Sequence, residues 1–211
     1  MLQASIRRPL TPSDHPPVLV LLHGLGADEG DLMGLTPELD PRLLIVSIRA
    51  PLEYGNGGYA WFEIRWTANG PEADSEQALS SLELLVATLE HLPDGLGVTP
   101  SQLLLGGFSQ GAMMSVGVAL LRPELVAGVV SMSGRLLPEF LPAELPATLA
   151  MVPFLVQHGT QDQVLPVAGS RQVRGELERA GCAVTYREYP MGHEINLRSL
   201  ADVRQWIAGR L

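Results

Sequence analysis

The chain has 211 residues, 46% hydrophobic and 18% charged, with a formal net charge of −9. That length suits one domain, residues 1–211, whose core is large enough to need no disulfide or metal staple, and the apolar fraction excludes intrinsic disorder. All 14 basic residues are arginine, which excludes lysine chemistry such as a Schiff base or a phosphate-loop lysine, and the acidic excess argues against a nucleic-acid partner.

The elements follow one another as strand, then helix. Ser5 to Arg8 suits an N-terminal antiparallel strand. Val18 to Leu22 is a continuous apolar run, the pattern of a strand buried on both faces, and it ends in His23-Gly24-Leu25-Gly26. A short helix over 28–34 follows it. Leu43 to Ser47 is the next strand, and after it comes a long connection, 48–74, that holds Tyr54, Tyr59, Trp61, Phe62 and Trp66. Connections of that length are uncommon unless they carry function. Leu79, Leu82, Val86 and Leu89 recur at helical spacing and predict a helix over 75–91, capped by Asp74 or Ser75. Gln102 to Gly107 predicts a strand and Gln110 to Leu121 a helix immediately behind it. Further strands are expected at Val126–Ser131, Phe154–Gln157 and Val184–Tyr189, the last with the alternation of a strand near a sheet edge. Helices are expected at Val167–Gly181 and Glu194–Leu211. Repeated βα units of this kind imply an α/β fold, a mostly parallel sheet with helices on both faces. Ligands in such sheets bind beyond the carboxyl ends of the strands, so the loops after each strand are where chemistry is expected.

Gly107-Phe108-Ser109-Gln110-Gly111 fits G-x-S-x-G, and it joins an apolar strand directly to a helix. This context is what a nucleophile elbow requires. A strained turn lifts the serine hydroxyl above the sheet, and only glycine fits against the crossing backbone on either side. A serine needs a base. Of the five histidines only His158 and His193 follow Ser109, and His193 lies in Pro190-Met-Gly-His-Glu, between the last strand and the closing helix. His193 is the expected base and His158 the rival. Asp162, in the loop after the fifth strand, is the expected acid that holds the imidazole tautomer. The main-chain amides of Leu25 and Gln110 are the expected oxyanion donors. His23 reads as a structural histidine, and Met113 and Met114 as core.

The stretches LLHGLG (21–26), GGFSQGA (106–112), HGTQDQVLP (158–166) and MGHEI (191–195) together resemble the phospholipase/carboxylesterase family of α/β-hydrolases, small bacterial carboxylesterases and acyl-protein thioesterases among them. The resemblance implies an α/β-hydrolase fold without a large cap domain, the roles just given for Ser109, Asp162, His193, Leu25 and Gln110, and neither cofactor nor metal. It allows a homodimer. The segment 49–62 follows the thioesterase pattern only in part and sits nearer the bacterial esterases. Trp61, at the aromatic position of the family's Trp-Phe pair, is expected to contact substrate together with Phe62 and Tyr59.

The expected activity is hydrolysis of short- to medium-chain carboxylic esters, small and neutral. Lysophospholipid or acyl-protein substrates are the alternative within the family. A peptidase, or an idle hydrolase fold used for binding, is the alternative outside it. Cys182 is the only cysteine and no apolar run approaches the roughly 20 residues of a membrane span, so a cytoplasmic protein without integral membrane contact is expected.

Overall fold

The computed structural model describes residues 2–67 and 70–211, apart from the side chains of residues 66, 70 and 71. Seven strands form the main sheet: β1 (Ala4–Arg7), β2 (Val18–Leu22), β3 (Leu44–Ile48), β8 (Leu103–Phe108), β9 (Gly128–Met132), β10 (Phe154–Gly159) and β11 (Val184–Tyr189). Their order across the sheet is β1-β3-β2-β8-β9-β10-β11. Only β1 runs antiparallel, paired with β3. The central strands are apolar at nearly every position because both faces are covered. Val18, Val20 and Leu22 face one core layer, and Leu19 and Leu21 the other.

The helices divide between the two faces. On the first lie α1 (Ser75–Leu96), α2 (Gln110–Leu121) and α3 (Ala168–Arg179); on the second lie α4 (Leu197–Ala208) and a 3-10 segment, Leu32–Glu38. Helix α2 is buried on all sides from Gln110 to Leu120, as expected of a helix apolar all round and wedged between sheet and neighbours. It packs on β2, β8 and β9 and against α1.

Several elements differ from expectation for identifiable reasons. Helix α1 runs past His91 and through Pro93, because Leu92 and Leu96 extend its buried stripe and Gly97, at φ 64°, gives a left-handed exit. The short helix expected at 28–34 is the 3-10 segment Leu32–Glu38 instead. The connection 48–74 is not one loop. It folds as two antiparallel hairpins, β4 (Leu52–Tyr54) with β5 (Gly58–Ala60), and β6 (Ile64–Thr67) with β7 (Gly70–Ala73). The first hairpin is tied to the loop after β2: Gly26 N donates to Tyr59 O at 2.8 Å and Tyr59 N to Ala27 O at 2.8 Å. Gly58 makes this contact feasible, since a Cβ there would lie 2.1 Å from Gly26 O.

Candidate active site

Ser109 stands between β8 and α2 at φ 55°, ψ −117°, a left-handed conformation that a serine adopts only when its surroundings impose it. Two close approaches do so. A Cβ on Gly107 would lie 2.1 Å from Gly111 O, and one on Gly111 would lie 2.0 Å from Leu22 O. Glycine at both positions lets α2 begin directly on the end of β2. The turn is pinned from the other side by Ser109 N, which donates to Met132 O at 2.9 Å.

His193 lies in the loop between β11 and α4. Its Nε2 is 2.9 Å from Ser109 Oγ and its Nδ1 is 2.7 Å from Asp162 Oδ2. An ionised carboxylate only accepts, so Nδ1 carries the hydrogen and Nε2 offers its lone pair to the serine hydroxyl. The Phe108 ring lies 4.8 Å from the imidazole, centroid to centroid, and bounds one side of it. Residues Ser109, Asp162 and His193, from three separate loops at the carboxyl ends of β8, β10 and β11, therefore form one continuous hydrogen-bonded chain.

The carboxylate of Asp162 is saturated with donors. The Val164 and Leu165 amides reach Oδ1 at 2.9 and 2.8 Å, and His158 Nε2 approaches Oδ2 at 3.1 Å. Its side chain is fully buried. Burial alone would raise its pKa, but the bonds from His193, Leu165 and Val164 outweigh that and hold the carboxyl below the usual carboxylate range. His158, the rival base, is also buried. Its Nε2 sits 2.8 Å from Leu165 O, so it braces the acid loop from behind and makes no bond to Ser109.

The loop after β2 passes beside the serine. A Cβ on Gly24 would lie 3.2 Å from Ser109 Cβ. Gly26 and Ala27 spend their amides on Tyr59 O and Gly24 O, whereas the Leu25 amide has no acceptor among the described residues. The Gln110 amide opens α2, where main-chain N–H groups lack intrahelical partners. These are the two expected oxyanion donors. Gln110 does more than its amide requires: its buried side chain accepts from Trp61 N at 3.1 Å and donates to Phe62 O at 2.7 Å, so it clamps the Trp-Phe segment to the elbow.

That clamp revises the reading of the aromatic residues. The side chains of Trp61 and Phe62 are 0% exposed and belong to the core, with no surface to offer a substrate. Trp61 Nε1 donates to His23 O at 3.0 Å and Ser81 Oγ donates to Trp61 O, so Trp61 supports the loop that carries Leu25. Tyr59 is half-buried; its hydroxyl is 3.0 Å from Arg49 Nη1, and Arg49 is in turn held by Glu29 at 2.5 and 2.6 Å. The side chain of Trp66 lies outside the described residues. Met113 and Met114 are buried in the core. Sequence patterning could not show these tertiary roles, because the main-chain partners of a Gln or Trp side chain leave no periodic signal.

His23 fixes the same loop from below. Ala50 N donates to its Nε2 at 3.0 Å, so Nδ1 carries the hydrogen and donates to Gly24 O at 2.7 Å. Burial lowers its pKa, and this outweighs the opposing pull of the Gly24 carbonyl and of Asp31, Asp28 and Glu29. The unfolded chain therefore takes up the proton first. His23 contributes stability above its ordinary value of 6.5, and that contribution drains away as the pH falls below it, by at most about 1.4 kcal/mol per pH unit. Thermal melting between pH 8 and 5 is expected to show Tm falling below pH 6.5 in the wild type. The fall is shallower in His23→Gln, which keeps an acceptor for Ala50 but binds no proton. Parallel curves for the two proteins would contradict this role.

Among the described residues, no group of three or more His, Cys, Asp or Glu side chains is arranged to hold a metal ion, and no helix is long and apolar enough to cross a membrane.

A mostly parallel seven-stranded sheet with a Gly-x-Ser-x-Gly turn between strand and helix defines an α/β-hydrolase. The chain matches the family model described as phospholipase/carboxylesterase over residues 5–210, and it belongs to that family. It is 30% identical to acyl-protein thioesterase 1 of Saccharomyces cerevisiae over 90% of both chains. The crystal structure of esterase PE8 superposes with a TM-score of 0.88 at 29% identity, covering 100% of this chain and 99% of that one. The Bacillus cereus carboxylesterase shares the fold, with a TM-score of 0.85 at 23% identity over 100% and 95% of the two chains. The protein is thus a hydrolase of the carboxylesterase and acyl-protein thioesterase family.

Proposed function

We propose that this chain is a serine carboxylesterase, one domain over residues 1–211, that hydrolyses short- to medium-chain carboxylic esters through an acyl-enzyme on Ser109. The observation that carries the reading is the chain Ser109 Oγ–His193 Nε2–His193 Nδ1–Asp162 Oδ2, with spacings of 2.9 and 2.7 Å. As the Ser109 oxygen attacks the ester carbonyl, His193 takes its proton and Asp162 stabilises the resulting imidazolium. The carbonyl oxygen gathers negative charge, which the amides of Leu25 and Gln110 receive. His193 then protonates the departing alcohol. Water, deprotonated by the same imidazole, attacks the acyl-enzyme and frees the acid. The carboxylate is buried and saturated with donors before substrate arrives, so little reorganisation accompanies charge formation.

A second reading, hydrolysis of acyl-protein thioesters or lysophospholipids, draws support from the 30% identity with the yeast acyl-protein thioesterase. Initial rates on p-nitrophenyl esters from acetate to palmitate, for wild type and Ser109→Ala, separate the two. A Ser109-dependent optimum at short or medium chains is the expected result. An optimum at long chains would favour the second reading. Folded protein with no Ser109-dependent rate on any ester would refute both.

A further inference from the structure

Nine of the arginines pair with carboxylates and three more donate to main-chain carbonyls. Two have no hydrogen-bond or ion-pair partner among the described residues: Arg198, which is exposed, and Arg135, which is partly buried. In a protein with 23 acidic residues against 14 basic ones, a partly buried arginine whose guanidinium is committed to no carboxylate or carbonyl stands out, because its planar fork of N–H donors is left for another acceptor.

The position of Arg135 gives this a meaning. It lies at the carboxyl end of β9, the edge of the sheet where the candidate catalytic groups converge. Met132, whose carbonyl holds Ser109 N at 2.9 Å, is three residues earlier, at most about 11 Å along the chain. Between them the backbone turns sharply at Ser133, φ 55°. Gly134 is pressed against the first turn of α2, where a Cβ would lie 2.7 Å from Ala112 Cβ. On the other side, a Cβ on Gly169 would lie 2.8 Å from Arg135 Cβ, so Arg135 also abuts the first turn of α3, directly after the loop that carries Asp162. Arg135 is thus wedged between the helix that starts at the nucleophile and the helix that follows the acid. Leu136 and Leu137 behind it are buried.

We propose that Arg135 is a specificity-determining residue that receives an anionic group, a carboxylate or a phosphate, carried by the substrate ester. The inference rests on the ester-hydrolase reading above and refines it. The net charge of −9 favours neutral substrates only at long range, and salt screens such fields beyond about 8 Å. Contact with an unpaired guanidinium acts within hydrogen-bond distance, where its planar fork matches a carboxylate or phosphate with two parallel bonds. An ester with an anionic tail satisfies the guanidinium while its carbonyl sits at Ser109; a neutral ester leaves the guanidinium unpaired.

The test uses matched esters followed by pH-stat. Monomethyl glutarate and monomethyl adipate are set against methyl pentanoate and methyl hexanoate, and 1-butyryl-glycerol 3-phosphate against 1-monobutyrin. Wild type, Arg135→Gln, Arg135→Lys and Ser109→Ala are compared, with a thermal melt of each. Wild type is expected to prefer the charged member of at least one pair, and which pair shows it tells carboxylate from phosphate. Arg135→Gln is expected to lose about 10- to 100-fold in kcat/KM on that charged ester, mainly through KM, while its rate on the neutral partner stays within about 2-fold. Arg135→Lys, which keeps the charge without the fork, falls between. Equal losses on charged and neutral esters would overturn the proposal, as would a wild type that prefers every neutral partner. Neutral-ester hydrolysis undiminished in Ser109→Ala would bring down the ester-hydrolase reading itself, and this inference with it.

Discussion

Ser109→Ala is expected to lower kcat on a soluble ester by about 10⁵- to 10⁶-fold while leaving Tm within a degree or two of the wild type. The size follows from what is lost. Without the hydroxyl there is no covalent intermediate, and the imidazole has no nucleophile to deprotonate within reach. The residual rate would come from substrate binding and from the amides of Leu25 and Gln110, which still face the developing oxyanion. The small effect on stability follows from geometry. Among the described residues Ser109 Oγ has one partner, His193 Nε2, and the hydroxyl does not impose the strained turn. That turn is held by main chain, through the Ser109 amide on Met132 O and the glycines at 107 and 111. Alanine at φ 55° suffers the same strain as serine. A burst of p-nitrophenol equal to the enzyme concentration in the wild type, absent from the alanine variant, would separate loss of acylation from loss of binding. A variant that kept more than a hundredth of the wild-type kcat would refute the nucleophile assignment.

The legibility of this protein in its sequence depends on how local each signal is. Strands β2 and β11 and helix α2 fall at the expected residues, because a buried parallel strand writes itself as an apolar run and a strand-to-helix elbow is punctuated by its glycines. The two hairpins between β3 and α1 left no such trace. Their strands are three or four residues long and rich in glycine and polar groups, and they are held by pairing with one another and, for β5, with the loop at Gly26 and Ala27. Trp61 and Phe62 were legible as an aromatic pair near the site but not as core. Their burial depends on Gln110 and Ser81, 49 and 20 residues away from Trp61. Arg135 was invisible for the same reason: a missing partner is a property of the assembled fold. The order of Ser109, Asp162 and His193 along the chain could be read directly. That two amides hold the carboxylate and His158 braces its loop through Leu165 O could not.

Asp162→Asn is expected to lower kcat by about 10⁴-fold, more than the loss of one hydrogen bond would suggest. The amide is nearly the same size as the carboxylate, so the loop should survive, and the Val164 and Leu165 amides would still find an acceptor in the carboxamide oxygen. The trouble arises at the other end of the group. His193 Nδ1 donates to Oδ2 at 2.7 Å, and His158 Nε2, whose hydrogen goes to Leu165 O, lies 3.1 Å from the same oxygen. An NH₂ there faces both ring nitrogens with hydrogens of its own. His158 keeps its hydrogen on Nε2 because Leu165 O accepts it at 2.8 Å, so the adjustment falls on His193, whose hydrogen moves from Nδ1 to Nε2. The imidazole would then present a donor to Ser109 and could not take its proton. The imidazolium formed during attack would also lose its counter-charge. The loss should therefore appear in kcat far more than in KM, and it should ease at high pH, where hydroxide can deprotonate the serine without the base. A variant whose loss lay mainly in KM, or whose rate was as flat with alkaline pH as the wild type's, would show that Asp162 acts as a loop anchor and not as the partner of His193.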